Sequence, residues 1–542
     1  MTRRPGLEQT LLALAALASV AALWSVAWFP SQDGPAHVDS ANVLRLYLQP
    51  ARDDIRAQYR LLVEPVPNLT GQVLLAALLG VLSPATAEKV LLSAYLILFP
   101  LAIRYALRAG GGGGGLAALL ALPFAWSRLF HWGFHNFGWG LVVLLVALGY
   151  WLRHRDGLHG ARWLGLLGLG LLLHFTHLGA VAPALFLIGT LAAWRVAVDA
   201  PDVGRALRSA LATGLALLPA ALLAWPYSQR QGEVLTAPTD LAASLGRLLA
   251  FDVLVSHTAK ESLVAGLLAA LCGVLLAVAL ARRRSRRRDL ADGLLLGAAV
   301  LVLLYLLMQG PDARRLFLPE RLAVLAPLVA LLWLGTCSLP RRLGVGAAVV
   351  AAALSLAQVS LHAAAYRRLQ PYVADYLSAG SVVEPRDTLL ALSYAPTGFD
   401  RQGRPLSLHV AAFAHTSGFL AAEHDAIDLG NYQSLTRHFA IRFRRAGVRA
   451  AFDIGLREGT DTEPPFLDLR QYESATGRHV RLLLLWGLRA ADRAHPSWPV
   501  LEKTLERDFE RVHVSPLGLM SVYRRRATPL GHATVGGEGR SR

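Results

Sequence analysis

The chain has 542 residues, 54% of them apolar and only 17% charged, and 54 basic against 37 acidic side chains give a formal net charge of +17. A soluble domain carries nearer a quarter charged residues and cannot cover so much apolar area with polar surface, while disordered chains are poor in apolar residues. A single soluble domain, a disordered protein and a fibrous repeat are therefore excluded.

The apolar excess, which lifts the mean hydropathy to +0.41, is concentrated between Gly6 and His362. It arrives in blocks of about 16 to 24 residues, close to the length that crosses a bilayer. The first, Gly6 to Phe29, is longer than a signal-peptide core and lacks a small-residue cleavage site, so it reads as a retained span. Blocks at 87–108, 114–130, 136–152, 162–177, 179–195, 207–227, 262–281, 290–308, 319–338 and 343–363 bring the count to about eleven. Gly71 to Leu82 is too short to span and reads as interfacial or re-entrant.

Arginines gather in the short loops between blocks: Arg104/Arg108, Arg153/Arg155/Arg162, Arg282 to Arg288 broken only by Ser285, and Arg341/Arg342. That is the positive-inside pattern. It places these loops and the N-terminus in the cytoplasm of a cell whose inner membrane holds the chain, and it assigns the basic balance to topology, not to nucleic acid. The glycine run Gly110 to Gly115 is followed by no GK[ST] and reads as a connector. Cys272 and Cys337 form neither a disulfide framework nor a metal motif.

The large loop after the first span leads through Ser31-Gln32-Asp33-Gly34-Pro35-Ala36-His37 into Val38 to Gln49. There Val38, Ala41, Leu44 and Leu48 recur at helical spacing opposite Asp39, Asn42 and Arg45, Pro35 suits the first turn, and Pro50 ends the helix. A second helix is expected over about Ala51 to Leu62, before Glu64-Pro65-Val66-Pro67. Both read as amphipathic helices on the outer surface. From Pro371 the composition becomes that of a soluble domain. Strands are expected at Thr388–Tyr394, Val448–Ile454, Val480–Trp486, Phe509–Val514 and Met520–Arg524, with a helix at Pro499–Arg507. The expected organisation is a transmembrane domain over 1–365 (with its first extracytoplasmic loop at 30–67), an extracytoplasmic α/β domain over 366–526, and a disordered Gly/Arg-rich tail over 527–542.

This topology puts one set of polar residues at outer span ends: Asp33 and His37; His131, His135 and Asn136; His174 and His177; Arg314, Arg315, Glu320 and Arg321. Ionisable groups at membrane depth are costly enough to suggest a shared cavity. Asp33 before Gly34-Pro35 is placed to cap a helix, or to accept a proton as a carboxylate held at low pKa by the helix dipole. Asp33 and His37 are the candidate ligands for any divalent metal ion. His131 and His135 at i, i+4 suit either metal or a polar wall, and no HExxH glutamate accompanies them. Arg321, with Arg314 or Arg315, offers the guanidinium fork that matches phosphate.

The short N-terminus, the first span, the outer loop with Gln32-Asp33-Gly34-Pro35-Ala36-His37, about eleven spans and the outer α/β domain together resemble the GT-C superfamily of membrane glycosyltransferases, in a divergent bacterial form. Phe130 to Phe137 and Phe413-Ala-His-Thr also resemble segments of bacterial proteins of this type. Gly34 stands where such proteins usually carry the second acid of an Asp-Glu pair, and Glu64-Pro65-Val66-Pro67-Asn68 replaces a His-Pro-Pro segment. The resemblance implies an inverting transferase that moves a sugar from a polyprenyl-phosphate donor to an extracytoplasmic glycan, lipid or protein acceptor, with Asp33 as general base. Two other classes stay open: a non-catalytic lipid-binding or assembly subunit, and a transporter or flippase, although the spans carry no prominent mid-membrane acid of the kind that ion coupling uses.

Overall fold

A computed structural model describes residues 6–199, 202–228, 240–283, 289–444, 469–496 and 498–526. The chain opens with α1 (Leu7–Trp24), followed by a group of short elements: α2 (Gly34–Tyr47), α3 (Asp53–Gln58), β1 (Tyr59–Leu61) and α4 (Leu69–Leu78). Next come α5 (Pro84–Ala109), α6 (Gly115–Ala121), α7 (Arg128–His131) and α8 (His135–His154). The bundle continues with α9 (Ala161–Thr176), α10 (Leu178–Trp194), α11 (Val203–Ser228), α12 (Leu241–Leu249) and α13 (Glu261–Arg283). It closes with α14 (Asp292–Leu307), α15 (Pro311–Arg315), α16 (Leu318–Leu334) and α17 (Arg341–Leu377).

Among the described residues seven helices are long and apolar enough to cross a membrane: α1, α5, α8, α10, α11, α13 and α17. The remaining apolar blocks of the sequence form shorter helices. The block at 114–130 breaks into α6, a 3-10 turn over Leu122–Trp126 and α7, because Pro123 withholds an amide donor where the helix would continue. α9 and α14 have 16 residues each and α16 has 17, about 24–26 Å of helix against a hydrocarbon core of about 30 Å. α4, at 10 residues and about 15 Å, is too short to cross, in keeping with an interfacial or re-entrant element. Without a hydrophobic drive inside lipid, close backbone approach decides which helices pair. α8 packs on α5 through glycines: a Cβ at Gly138 would lie 3.0 Å from the Tyr95 ring, and one at Gly149 2.6 Å from the Tyr105 ring.

The C-terminal part adds β2 (Thr388–Ser393), α18 (Ser417–His424), β3 (Ile427–Asp428), β4 (Ile441–Phe443), α19 (Leu469–Thr476) and β5 (Leu482–Trp486). It ends with α20 (Ala490–Arg493), α21 (Trp498–Asp508), β6 (Phe509–Val514) and β7 (Met520–Arg525). Among the described residues a five-stranded sheet runs β3-β2-β5-β7-β6, with β2 parallel to β3 and β5, and β7 antiparallel to β5 and β6. Every residue of β5 is buried, which is why its sequence is an unbroken Leu-Leu-Leu-Leu-Trp. The expected boundary at 365/366 falls inside α17, one continuous helix of 37 residues that leaves the bundle and enters the sheet region. The expected strand at Val448–Ile454 and the tail at 527–542 lie outside the described residues.

Two expectations for the first loop are corrected. The second helix stops at Gln58, and Tyr59–Leu61 is a strand paired antiparallel with Ile441–Phe443. The Tyr59 and Phe443 rings stack across that pair with centroids 4.7 Å apart, a buried contact that outweighs local helix preference. α2, moreover, is not a surface helix: residues from Gly34 to Leu46 are buried on both faces, apart from Arg45. Its polar side meets the C-terminal part. Asn431 donates to Asp39 (2.6 Å), Ser40 to Gln433 (2.9 Å), and Arg45 pairs with Asp425 (2.7 Å). Gly418 of α18 sits so close that a Cβ there would lie 2.3 Å from the Pro35 carbonyl oxygen.

Candidate functional site

Two segments build the site: residues 29–34, from the end of the first span into α2, and residues 130–135, from the end of α7 to the start of α8. They are stitched together by backbone bonds, Gln32 N–H to the His131 carbonyl (3.0 Å) and Asp33 N–H to the Trp132 carbonyl (3.1 Å). Gly133 permits this approach, because its φ is +80° and a Cβ would stand 2.5 Å from the Gly34 nitrogen. Gly34 is equally constrained: its Cβ would overlap the Glu88 Oε1 and Ser31 Oγ atoms, each 2.1 Å away. The space a second acid at position 34 would need is thus filled by a carboxylate from α5. Glu88 is fully buried and bonds His135 Nε2 at 3.0 Å, while its Oε2 has no partner among the described residues.

Asp33 occupies the N-cap position of α2, yet its side chain makes no capping bond. Its carboxylate turns to the C-terminal part of the chain. The Tyr432 hydroxyl donates to Oδ2 at 2.8 Å, Gln32 Nε2 donates to Oδ1 at 3.3 Å, and His415 Nε2 stands 3.7 Å from Oδ1. With 6% of its surface exposed, Asp33 is desolvated enough to push its pKa up to about 6, against the pull of the Tyr432 and Gln32 hydrogen bonds. This corrects the expectation of a low pKa set by the helix dipole: burial is the larger effect. Burial also holds His415 down to about 4, so at neutral pH it is an uncharged imidazole beside an ionised carboxylate.

The other candidate residues divide into groups. His37 lies over the His135 ring, centroids 5.3 Å apart and planes at 28°, and also contacts Phe439. His177 caps α10 by accepting from Gly179 N–H (2.9 Å), meets the Phe137 ring at 5.6 Å between centroids, and is held well below its ordinary pKa by burial and by the Arg321 guanidinium. Arg321 lies over the Phe134 and Phe137 rings at 5.5 and 5.7 Å, with a buried Nε that has no partner among the described residues. Asp33, His37, His135, His177 and Arg321 therefore share one neighbourhood. Arg314 and Glu320 line a separate cavity of about 610 Å³, together with Trp132 and Phe317. The Phe317 ring touches both Trp132 and Phe134, so aromatic rings stand between that cavity and Arg321. The Arg315 side chain lies outside the described residues.

Three candidates face elsewhere. His131 turns from Asp33 to bond the Tyr366 hydroxyl (2.7 Å) and meets His257 and His362 edge-on, at 4.7 and 4.5 Å between centroids. His174 donates to the Pro65 carbonyl (2.8 Å) and fastens the loop before α4. Asn136 packs where α4 crosses α8, with its Oδ1 2.0 Å from a Cβ placed on Gly71. Tyr432, His415, Glu88, His438 and Phe439 belong to the neighbourhood but were not legible as a set. Glu88 carried a signal, an acid in the first turns of an apolar span, and His415 lies in the Phe413-Ala-His-Thr segment. Among the described residues no group of three or more His, Cys, Asp or Glu side chains is arranged to hold a metal ion.

No protein-family model and no curated protein sequence matches the chain. Among solved structures, the crystal structure of ArnT from Cupriavidus metallidurans bound to undecaprenyl phosphate matches along nearly the whole of both molecules, 96% of this chain and 98% of that one. The TM-score is 0.52 and the sequence identity 10%, so the likeness is one of fold. The chain thus shares the fold of that structure, a polytopic helical membrane fold with a C-terminal sheet region.

Proposed function

We propose that this GT-C-like membrane protein transfers a sugar from a polyprenyl-phosphate donor to an acceptor on the extracytoplasmic side, with Asp33 as general base. The carrying observation is the Asp33 carboxylate itself: buried, released from the capping role its position suggests, and held by Tyr432 from the other end of the chain. A pKa of about 6 suits a base working near neutral pH, since the group is mostly ionised yet basic enough to take a proton. The ArnT structure contains undecaprenyl phosphate, which supports a lipid-phosphate donor for the shared fold.

In the reaction, Asp33 removes the proton of an acceptor hydroxyl as that oxygen attacks the anomeric carbon. The bond from that carbon to the phosphate oxygen breaks with inversion, and polyprenyl phosphate leaves with the electron pair. Arg321 is the proposed contact for the charge developing on the leaving phosphate, because its Nε is free among the described residues and its other face is held on two phenyl rings. The buried, stacked rings of His37 and His135 form the wall beside the carboxylate.

The test separates base from cap. Asp33→Asn keeps the acceptor oxygen and nearly the same shape but cannot be protonated in the useful range. Membranes carrying this variant, given a radiolabelled polyprenyl-phosphate sugar, should transfer at least ~100-fold more slowly at unchanged protein level. Near-normal transfer would remove Asp33 from the reaction.

A further inference from the structure

At the end of the bundle opposite Asp33, α5 and α8 hold a second cavity, of about 580 Å³. Glu88 and His135 start these two helices at the Asp33 site, and Arg104 lies 16 residues further along α5, about 24 Å of helix away. The lining is of one sign: Arg104, Arg108, Arg153 and Arg155, with Tyr105 and an apolar floor of Leu101, Ala109 and Leu152. Among the described residues Arg104, Arg108 and Arg153 form no ion pair, and Arg104 Nε is buried without a hydrogen-bond partner. Arg155 binds the Leu152 carbonyl and stands 4.0 Å from Asp156, but that carboxylate is held by Arg195. Glu8 of α1 is the acid whose charge reaches Arg104, where Arg108 opposes it.

We infer that this cavity binds the phosphate head group of an anionic membrane lipid. Arginines that merely mark a membrane boundary would reach separately for water along the helix surface. Here they converge from two helices on one concavity and repel each other, an arrangement that a bound dianion or monoanion relieves. The guanidinium fork matches phosphate oxygens in pairs, and basic pockets between transmembrane helices are a known form of head-group site. The volume is in the range of small-ligand pockets. A track for the acyl chain leads away from it: Leu101 in the lining is 47% exposed, and Ile97 and Leu98, one turn back on α5, are 43% and 39% exposed. The site is independent of the proposed transfer reaction and stands or falls without it.

The test is lipid binding by the full chain in an uncharged detergent, read as the shift in Tm on titration. Diphosphatidylglycerol or phosphatidylglycerol should raise Tm at lower concentration than phosphatidylcholine does. In Arg104→Gln/Arg108→Gln/Arg153→Gln the apparent affinity should fall at least ~10-fold, as loss of hydrogen bonds to a charged group requires. A comparator, Arg162→Gln/Arg341→Gln/Arg342→Gln, removes equal charge outside the lining and should bind as the wild type does. If the first variant does not insert, the three Arg→Lys replacements keep the charge and lose the fork, and they should weaken binding several-fold. Equal loss in the comparator, an undiminished affinity in the cavity variants, or a full response to glycerol 3-phosphate would each overturn the head-group site. The last would make the occupant a free phosphate.

Discussion

The pair Asp33 and Tyr432 sets the acidity of the site. The hydroxyl donates to the ionised carboxylate and so favours its charged form, against the desolvation that raises the pKa to about 6. Two consequences follow for the proposed reaction. Transfer should fall tenfold per pH unit below about 6, where the base takes up its proton before the acceptor can give one. Tyr432→Phe removes the stabilising bond, so the acidic limb should move to higher pH. The rate at pH 6 should drop about tenfold while the loss at pH 8 stays small, because a hydrogen bond to a charged group is worth ~1.5 kcal/mol or more. A variant with an unshifted limb would mean that Tyr432 only packs. Asp33 was legible as a candidate because an acid beside Gly-Pro after a span is conspicuous. Its partner was not, since nothing in local spacing connects residue 33 with residue 432.

At the level of elements, the apolar blocks announced the long helices, because length and hydropathy are read directly from the chain. What stayed hidden were elements that depend on distant partners. Tyr59–Leu61 becomes a strand only because Ile441–Phe443 lies beside it. The polar stripe of α2, which looks like a solvated face, is instead a docking face for Asn431, Gln433 and Asp425. α18 also packs on α2, and Gly418 stands where the two backbones come close. Gly418→Ala puts a methyl 2.3 Å from the Pro35 carbonyl oxygen and 2.6 Å from its carbon, backbone atoms that cannot swing aside. The substitution should lower Tm, by the ~1–3 kcal/mol typical of overpacking, and should cut transfer as α2 moves Asp33. A Tm and rate equal to wild type would show that the two helices separate without cost.

On the scale of the whole molecule, charge placement predicts orientation. With Cys272 and Cys337 replaced, a membrane-impermeant thiol reagent added outside should label a cysteine at the exposed Gln402 and not one at the exposed His159. The reverse pattern would put the Asp33 site on the cytoplasmic side. Stability should also respond to pH through the imidazoles under the C-terminal part. His257, bonded to Ser407 across that junction (3.0 Å), is fully buried and held down to about 3. Its unfolded pKa is near 6.5, so the unfolded chain binds the proton first, and the stability it confers is present above that value and lost as pH falls. The loss between pH 7.5 and pH 5 is ~2 kcal/mol. Burial raises Asp33 to about 6 and pushes Asp428 up as well, and both act in the opposite sense, favouring folding as pH falls from there. The clean comparison is therefore with His257→Asn, which should show a smaller drop in Tm over the same interval. The junction has one more implication, for the order in which the protein is made. The first loop carries Asp33, but Tyr432 and His415 are supplied by the last quarter of the chain. As the ribosome delivers the chain N-terminus first, an inserted bundle exists for a time with its base bare to water and without its phenol. The proposed chemistry is thus switched on by completion of synthesis, and a prematurely terminated chain would occupy the membrane without spending activated sugar.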